Sequence, residues 1–299
     1  MVETAKAKIN LTLEVAGRRD DGYHELKSLV VFSDFGDKLE FQSGADYSLQ
    51  VGGPFGAAIE GHNLLETIAS RVMMEARSCH DELPAGPGAI QLEKNIPVAA
   101  GLGGGSSDGA ALLRLMNRAG LVELSDDFIT TCGKLYGADV PVSIPSVPAF
   151  MAGIGELLSP VQNMPELFML LVNPGVMVPT GQIFSRLAAP LISSDMAARG
   201  RLELQTLASR GFKTLDDVVD YMNTAPNDLS AAAIDVAPEI KEVVEALTLQ
   251  EGCAIARMTG SGATCFGLFT SYEEMAAAER VISAGAPNWW VQASRVAGA

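Results

Sequence analysis

Between residues 89 and 120 the chain reads as a strand, a glycine loop and a helix, and no other stretch limits the fold as severely. GLGGGSSD, Gly101 to Asp108, puts four glycines into five residues between the strand-like Ala89 to Lys94 and a helix with Leu112, Leu113, Met116 and Ala119 on its apolar face. Without Cβ atoms the backbone can turn tightly and approach a ligand. Ser106, Ser107 and Asp108 are residue types that cap helices, and the first turn beyond them offers free N–H groups carrying roughly half a positive charge. The combination is an anion cradle, most often for phosphate. It is not the common phosphate loop, since no GxxxxGK[ST] occurs. Nor is it the dinucleotide fingerprint: G-x-G-x-x read from Gly101 or Gly103 ends on Ser106 or Asp108. Taken alone, the segment reads equally well as a ligand-free loop with good helix caps.

Charge sharpens the question of what such a cradle could hold. The 299 residues are 48% hydrophobic and 19% charged, enough apolar material for a large core and far from a disordered composition. Thirty-six acidic residues against 21 basic ones give a net charge of −15, which argues against nucleic acid as a partner. An anionic ligand would meet a repelling overall field, so local backbone amides and a few placed lysines must hold it. The cysteines (Cys79, Cys132, Cys253, Cys265) form no CxxC pair, and His24, His62 and His80 do not pair at helical ligand spacing. No apolar run reaches the length of a membrane span and MVETAKAKIN offers no secretory apolar region, so no membrane partner and a cytoplasmic location are expected.

Along the chain, Lys6 to Val15 alternates strictly and predicts a half-buried strand with a polar face of Lys6, Lys8, Asn10, Thr12 and Glu14. Leu26 to Phe35, Asp37 to Phe41 and Tyr47 to Val51 read as further strands. Asn63 caps a helix to Arg77, and Ser125 caps a second that ends at Gly137. Val140 is expected to leave that helix extended, because Pro141 follows it. Pro- and Gly-rich Ser143 to Pro165 suggests a boundary, giving residues 1–155 and 156–299 as domains. Leu167 to Val172 reads as a strand, Gly181 to Met222 as weaker helices, and Pro238 to Leu247 as a helix. The chain then closes as strand, TGSGA loop, strand, helix capped by a Ser271–Glu274 box, and strand.

The motifs taken together resemble one family. AKAKINLTLEV, DGYHEL (Asp21 to Leu26), PVAAGLGGGSSD (Pro97 to Asp108), GADVP (Gly137 to Pro141) and TGSGATCFGLF (Thr259 to Phe269) occur in the order found in the GHMP kinases, the family of galactokinase, homoserine kinase and mevalonate kinase. The resemblance runs nearly end to end and is weak only from Arg186 to Pro226. It implies a two-domain α+β fold: a ribosomal-S5-like N-terminal ATP-binding domain, a ferredoxin-like C-terminal domain, and an active site in the cleft between them. It also implies an ATP-dependent kinase, with Mg²⁺ to compensate the phosphates. The acceptor would be a small molecule, a cytidine diphosphate derivative of methylerythritol phosphorylated on its 2-hydroxyl in isoprenoid precursor synthesis. An acceptor of the homoserine or mevalonate type is the alternative.

Residue roles follow from the same resemblance. Asp139 matches the aspartate that accepts or orients the hydroxyl proton, and Lys8 matches the catalytic lysine. The nucleotide would lie along Pro97, Val98, Ala99, Ala100, Gly101, Leu102, Gly103, Gly104, Gly105, Ser106 and Ser107, with Lys94 and Asn63 at its adenine end. Tyr23 and His24 match the positions that grip cytosine, with Phe184 as a second aromatic and Thr180 and Asn10 as further substrate contacts. Ser106 or Ser107 could ligate the metal, a choice the motif leaves open. Each residue has a plainer reading: strand-face lysine, loop aspartate, helix cap, or core aromatic.

Overall fold

A computed structural model describes residues 1–20, 22–79 and 88–298 of the chain. Asp21 of the DGYHEL segment and His80 lie outside the described residues. Two compact units emerge, and they interleave in sequence. Unit 1 comprises Met1–Ala7, Phe35–Val98 and Gly103–Ser146; unit 2 comprises Lys8–Asp34, Ala99–Leu102 and Val147–Ala299.

The first surprise is β1 (Val2–Asn10), which stops where the alternating pattern continues; β2 (Glu14–Arg18) resumes after a break. The cause is Thr12. Its hydroxyl takes the N–H of Leu29 at 2.9 Å, the place of a backbone carbonyl, while Leu11 N–H reaches Leu29 O and Leu13 N–H turns to Pro226 O. The predicted polar face is also not solvated: Lys8, Asn10 and Thr12 are all buried. The next two predicted strands merge into one, β3 (His24–Gln42), long enough to serve both units.

In unit 1 the second half of β3 pairs antiparallel with β5 (Ala89–Glu93), which pairs parallel with β4 (Ser48–Gly52). Helices α1 (Leu64–Cys79) and α2 (Gly104–Arg118) cover this sheet. Their Leu65, Ile68, Leu112 and Met116 share a buried core with Leu39 and Phe41 of β3. Helix α3 (Asp126–Tyr136) starts on Ser125, whose side chain accepts from Phe128 N–H, and ends at Gly137, as its sequence predicts. Val140 is not extended: it opens a short helix, α4 (Val140–Ser143). Pro141 falls in the first turn, where a missing N–H costs nothing, and Arg114 closes the far end by donating to Ile144 O at 2.8 Å.

In unit 2 the first half of β3 pairs with β2 and with β6 (Ala149–Gly153), and β6 with β7 (Leu157–Pro160). A separate antiparallel sheet has four strands, β8 (Leu167–Asn173), β9 (Cys253–Met258), β10 (Cys265–Phe269) and β11 (Trp290–Val296), in the order β11-β8-β10-β9. Helices α9 (Glu239–Thr248) and α10 (Tyr272–Gly285) bury Ile240, Val243, Met275 and Ile282 against Leu170, Val172 and Phe269. Ser271 caps α10, but Glu274 answers only through the Ser271 and Thr270 hydroxyls; the full reciprocal box sits at Thr214 and Asp217. That box opens α7 (Leu215–Thr224). With α5 (Thr180–Ser185), α6 (Ser194–Arg210) and α8 (Ser230–Val236) it fills the stretch where weaker helices were expected. No helix among the described residues is long and apolar enough to cross a membrane.

Candidate active site

In unit 1 the glycine loop runs into the opening of α2. Gly103 is its N-cap, in the left-handed conformation (φ 61°, ψ 21°), and no side chain caps the helix. Ser106, Ser107 and Asp108 therefore sit inside the helix and not at its cap, one turn later than their residue types suggest. The first helical bond is Ser107 N–H to Gly103 O at 2.9 Å, which leaves the N–H groups of Gly104, Gly105 and Ser106 ahead of the ladder. Ser107 Oγ is buried and has no hydrogen-bond partner among the described residues. Ser106 Oγ lies 3.9 Å from the place a Cβ would take at Gly137, beside the GADVP segment.

The glycines of the loop differ in what requires them. A Cβ on Gly104 would lie 2.9 Å from Lys94 Nζ and 3.2 Å from Ile96. A Cβ on Gly105 would meet nothing, and the residue is exposed. Contacts within the protein account for Gly104 but not for Gly105.

Lys94 is buried, and its ammonium is held by Asp37 and by Asp108, the latter at 2.7 Å. Burial alone would lower its pKa, but the two carboxylates outweigh burial and raise it. An adenine reaching this position would find the ammonium occupied. Asn63 accepts the N–H of Leu65 at 3.0 Å and so caps α1. Asp139 is the N-cap residue of α4, and its carbonyl accepts the Ser143 hydroxyl at 2.8 Å. Pro97 is partly exposed, and Val98 more so.

In unit 2, Lys8 is buried and its N–H donates to Leu102 O at 3.0 Å. Ala99 has a positive φ of 55°, and Ala100 O accepts the Thr264 N–H at 3.3 Å. Gly101 is pressed against the second glycine loop: its Cβ would lie 2.7 Å from Gly262 O and 2.9 Å from Thr259 O. The reverse also holds, since a Cβ on Gly260 would lie 2.6 Å from Gly101 O. The second loop is held from other sides as well. Thr259 Oγ1 accepts the Asn10 N–H at 2.8 Å, and the Asn227 amide donates to Met258 O and Gly260 O at 2.9 and 3.0 Å. The Asn10 side chain donates to Ser28 Oγ at 2.7 Å.

The structure brings His24 and Phe184 together, with ring centroids 5.2 Å apart and planes tilted by 35°. Burial first, then the Arg18 guanidinium, holds the His24 imidazole below its ordinary pKa and so neutral at pH 7. Tyr23, next to it in sequence, is 61% exposed. One helical turn before Phe184, the Thr180 hydroxyl bonds the Ser261 hydroxyl of the second loop at 2.8 Å. Helix α5 thus joins the aromatic pair to the second glycine loop.

Sequence reading missed three residues that hold these elements. Asp37 stands in an apolar strand run, where a buried acid demands a cation, and that mismatch was the available signal. Asp108 looked like a helix cap. Asn227, one residue after Pro226, carries no such signal.

Comparison with known proteins bears on all of this. Residues 63–150 match the GHMP kinases N terminal domain, and residues 208–288 match the GHMP kinases C terminal family. A 4-diphosphocytidyl-2-C-methyl-D-erythritol kinase from Parvibaculum lavamentivorans is 40% identical over 301 residues, covering 100% of this chain and 99% of the relative. Its counterpart from Cereibacter sphaeroides is 42% identical over 299 residues, 98% of each chain. The crystal structure of a 4-(cytidine 5'-diphospho)-2C-methyl-D-erythritol kinase superposes with a TM-score of 0.73 at 29% identity and covers 100% of both chains. With both family halves matched and full-length relatives at this identity, the two-domain α+β architecture is that of the family, and this chain belongs to the GHMP kinases.

Proposed function

We propose that the protein transfers the γ-phosphate of ATP to the 2-hydroxyl of 4-diphosphocytidyl-2-C-methyl-D-erythritol, a step in isoprenoid precursor synthesis. The observation that carries the choice of acceptor is the His24–Phe184 pair on one end of α5 and the Thr180–Ser261 hydroxyl pair on the other. A base needs an aromatic platform and a neutral hydrogen-bonding edge, and the diphosphate beside it needs hydroxyls and backbone amides. A homoserine or mevalonate acceptor has no base and leaves the aromatic pair without a purpose. The relatives named for the cytidine substrate carry the same assignment.

In this reading the α2 opening receives the nucleotide phosphates, and Gly105 is bare so that a phosphate can approach the backbone. Lys8 stabilises charge on the transferring group. Asp139 orients the acceptor hydroxyl and takes its proton as the new P–O bond forms and ADP leaves. Asn10 supports the second loop, Tyr23 and Phe184 flank the cytosine, and His24 reads its edge. Asn63 and Lys94 shape the adenine end through their backbone, since their side chains are engaged within the protein.

Mg²⁺ fits the residues present. Among the described residues no three His, Cys, Asp or Glu side chains cluster, so phosphate oxygens would supply most ligands. The orphaned Ser107 hydroxyl is the hard oxygen that would hold the ion. When bound, the ion would neutralise charge developing on the phosphates. A cytoplasmic site of action suits a chain whose two substrates are both soluble, highly charged metabolites. ADP release from the purified protein, measured with the cytidine substrate, homoserine and mevalonate in parallel, tests the assignment. Turnover confined to the cytidine substrate is expected; turnover of another alcohol instead would replace it.

A further inference from the structure

Asp37, Lys94 and Asp108 form a buried cluster for which the chemistry above has no use. All three are almost entirely withdrawn from water, at 0, 3 and 4% exposure. Asp37 Oδ1 accepts the N–H groups of Asn95 and Ile96 at 2.6 and 2.8 Å, fastening the chain as it leaves β5 for the glycine loop. Asp37 Oδ2 and Asp108 Oδ2 both hold the Lys94 ammonium. Asp108 lies one turn into α2, and the ammonium stands 2.9 Å from the position of a Cβ on Gly104, the first residue of that helix. Strand β3, the end of β5 and the opening of α2 therefore meet on one nitrogen.

Stability does not explain such a cluster. Burying charges is costly, and apolar side chains of similar volume often replace a buried ion cluster without loss. Two ionised carboxylates on one ammonium would also leave a net negative charge beside the turn that is to receive phosphate. Asp108 bears that cost: its Oδ1 is buried with no donor among the described residues, and burial together with the Asp37 charge pushes its carboxyl well up against the pull of Lys94.

We propose that Asp37 and Asp108 are positioning residues for the nucleotide: they hold Lys94 as a strut that fixes the first turn of α2, and so set ATP affinity without contacting the acceptor. This rests on the reading of the α2 opening as the ATP phosphate cradle. The alternative role for Lys94 is direct contact with ATP, and the two differ at Asp108. Releasing the ammonium from Asp108 dismantles the strut, whereas an ammonium that binds ATP directly would be left free to do so. Lys94→Met/Asp108→Ala removes both ends of the contact and should cost no more than the heavier single loss, since each residue acts through the other.

The experiment measures ATP Kd by calorimetry, KM for ATP and for the acceptor, and thermal unfolding on the full chain. Lys94→Met and Asp108→Ala should each raise ATP Kd and ATP KM about tenfold or more, with the acceptor KM within about twofold. The double variant should lie within about threefold of the weaker single variant. Four outcomes overturn the proposal: an Asp108→Ala variant with unchanged ATP Kd beside a weakened Lys94→Met, a double variant whose loss is the product of the two single losses, equal rises in both KM values, or a fall in thermal stability with ATP Kd unchanged. Should Asp108→Ala fail to fold, Asp108→Leu takes its place in both comparisons; should Lys94→Met fail, Asp108→Ala decides alone, a raised ATP Kd supporting the strut and an unchanged one overturning it. A parent protein that binds no ATP would sink the cradle reading instead, a result distinguishable from all of these.

Discussion

The two glycine loops look alike in sequence and differ in what their glycines do. In the second loop, Gly260 and Gly262 are required by the protein itself: both have positive φ, and added Cβ atoms would strike Gly101 O at 2.6 Å and Met258 Sδ at 2.8 Å. In the first loop Gly101 belongs to that same interlock, Gly103 supplies a left-handed cap, and Gly104 makes room for Lys94. Only Gly105 is unconstrained within the run Gly101 to Gly105. Glycine content alone thus overstates how much of a loop faces a ligand. The informative glycine is the one whose missing side chain no neighbour explains.

The contrast can be broken most decisively at the interlock. Gly260→Ala should cost at least about 2 kcal/mol in chemical unfolding, through backbone strain and collision with Gly101, and abolish most activity. Unchanged stability would mean that the loops are not locked together. Asp139→Asn provides a yardstick that alters neither loop: kcat should fall roughly a hundredfold while unfolding and ATP affinity stay as in the parent, and wild-type turnover would remove the residue from the chemistry. Gly105→Ala should separate ligand from fold. Helix propensity raises stability by up to about 1 kcal/mol, while the new methyl raises ATP KM about tenfold; an unchanged KM would show that no phosphate lies against this residue.

The smallest effect concerns pH. Backbone amides do not titrate, whereas His24 does, and its pKa lies below the usual 6.5. The neutral imidazole therefore persists through neutrality and is lost only as pH falls further. Acceptor KM should rise a few fold, roughly two- to fivefold, between pH 6.5 and 5, and His24→Gln should flatten that rise. A slope that survives in His24→Gln would place the titrating group elsewhere.

Much of the fold was legible wherever local signals and packing agree. Ser125 and Gly137 bound α3 because cap and terminator are local chemistry, and the strands and helix from Cys253 to Val296 follow their patterns. The errors arise where tertiary partners override local preference. Thr12 interrupts an alternating run because its hydroxyl finds Leu29, and Val140 turns helical because Arg114 satisfies the carbonyls beyond it. The polar face of β1 is buried because alternation cannot tell solvent from a polar interior. The candidate site was legible only through the resemblance, for Lys8 and Asp139 taken singly read as an ordinary strand lysine and loop aspartate. Of its supports only Asp37 left a sign, as an acid in an apolar strand run, and nothing local names its partner. Asp37, Asp108 and Asn227 act across separations of 57, 14 and 31 residues to Lys94 and Met258, distances over which sequence pattern does not tell which residues pair.

The interleaving of the two units has a consequence for anyone who wishes to cut or recombine this chain. A single scission after Ser146 would not release either unit intact, because Lys8–Asp34 and Ala99–Leu102 would leave with the wrong fragment. Asp34, for instance, accepts from the Ser294 hydroxyl and the Arg295 N–H at 3.0 and 2.8 Å, a fastening between an early segment and the last strand. Chimeras spliced at one crossover would import half of each such fastening from a foreign parent. Exchange between relatives calls for at least the segments 8–34 and 147–299 to travel together, with 99–102 as a third insert.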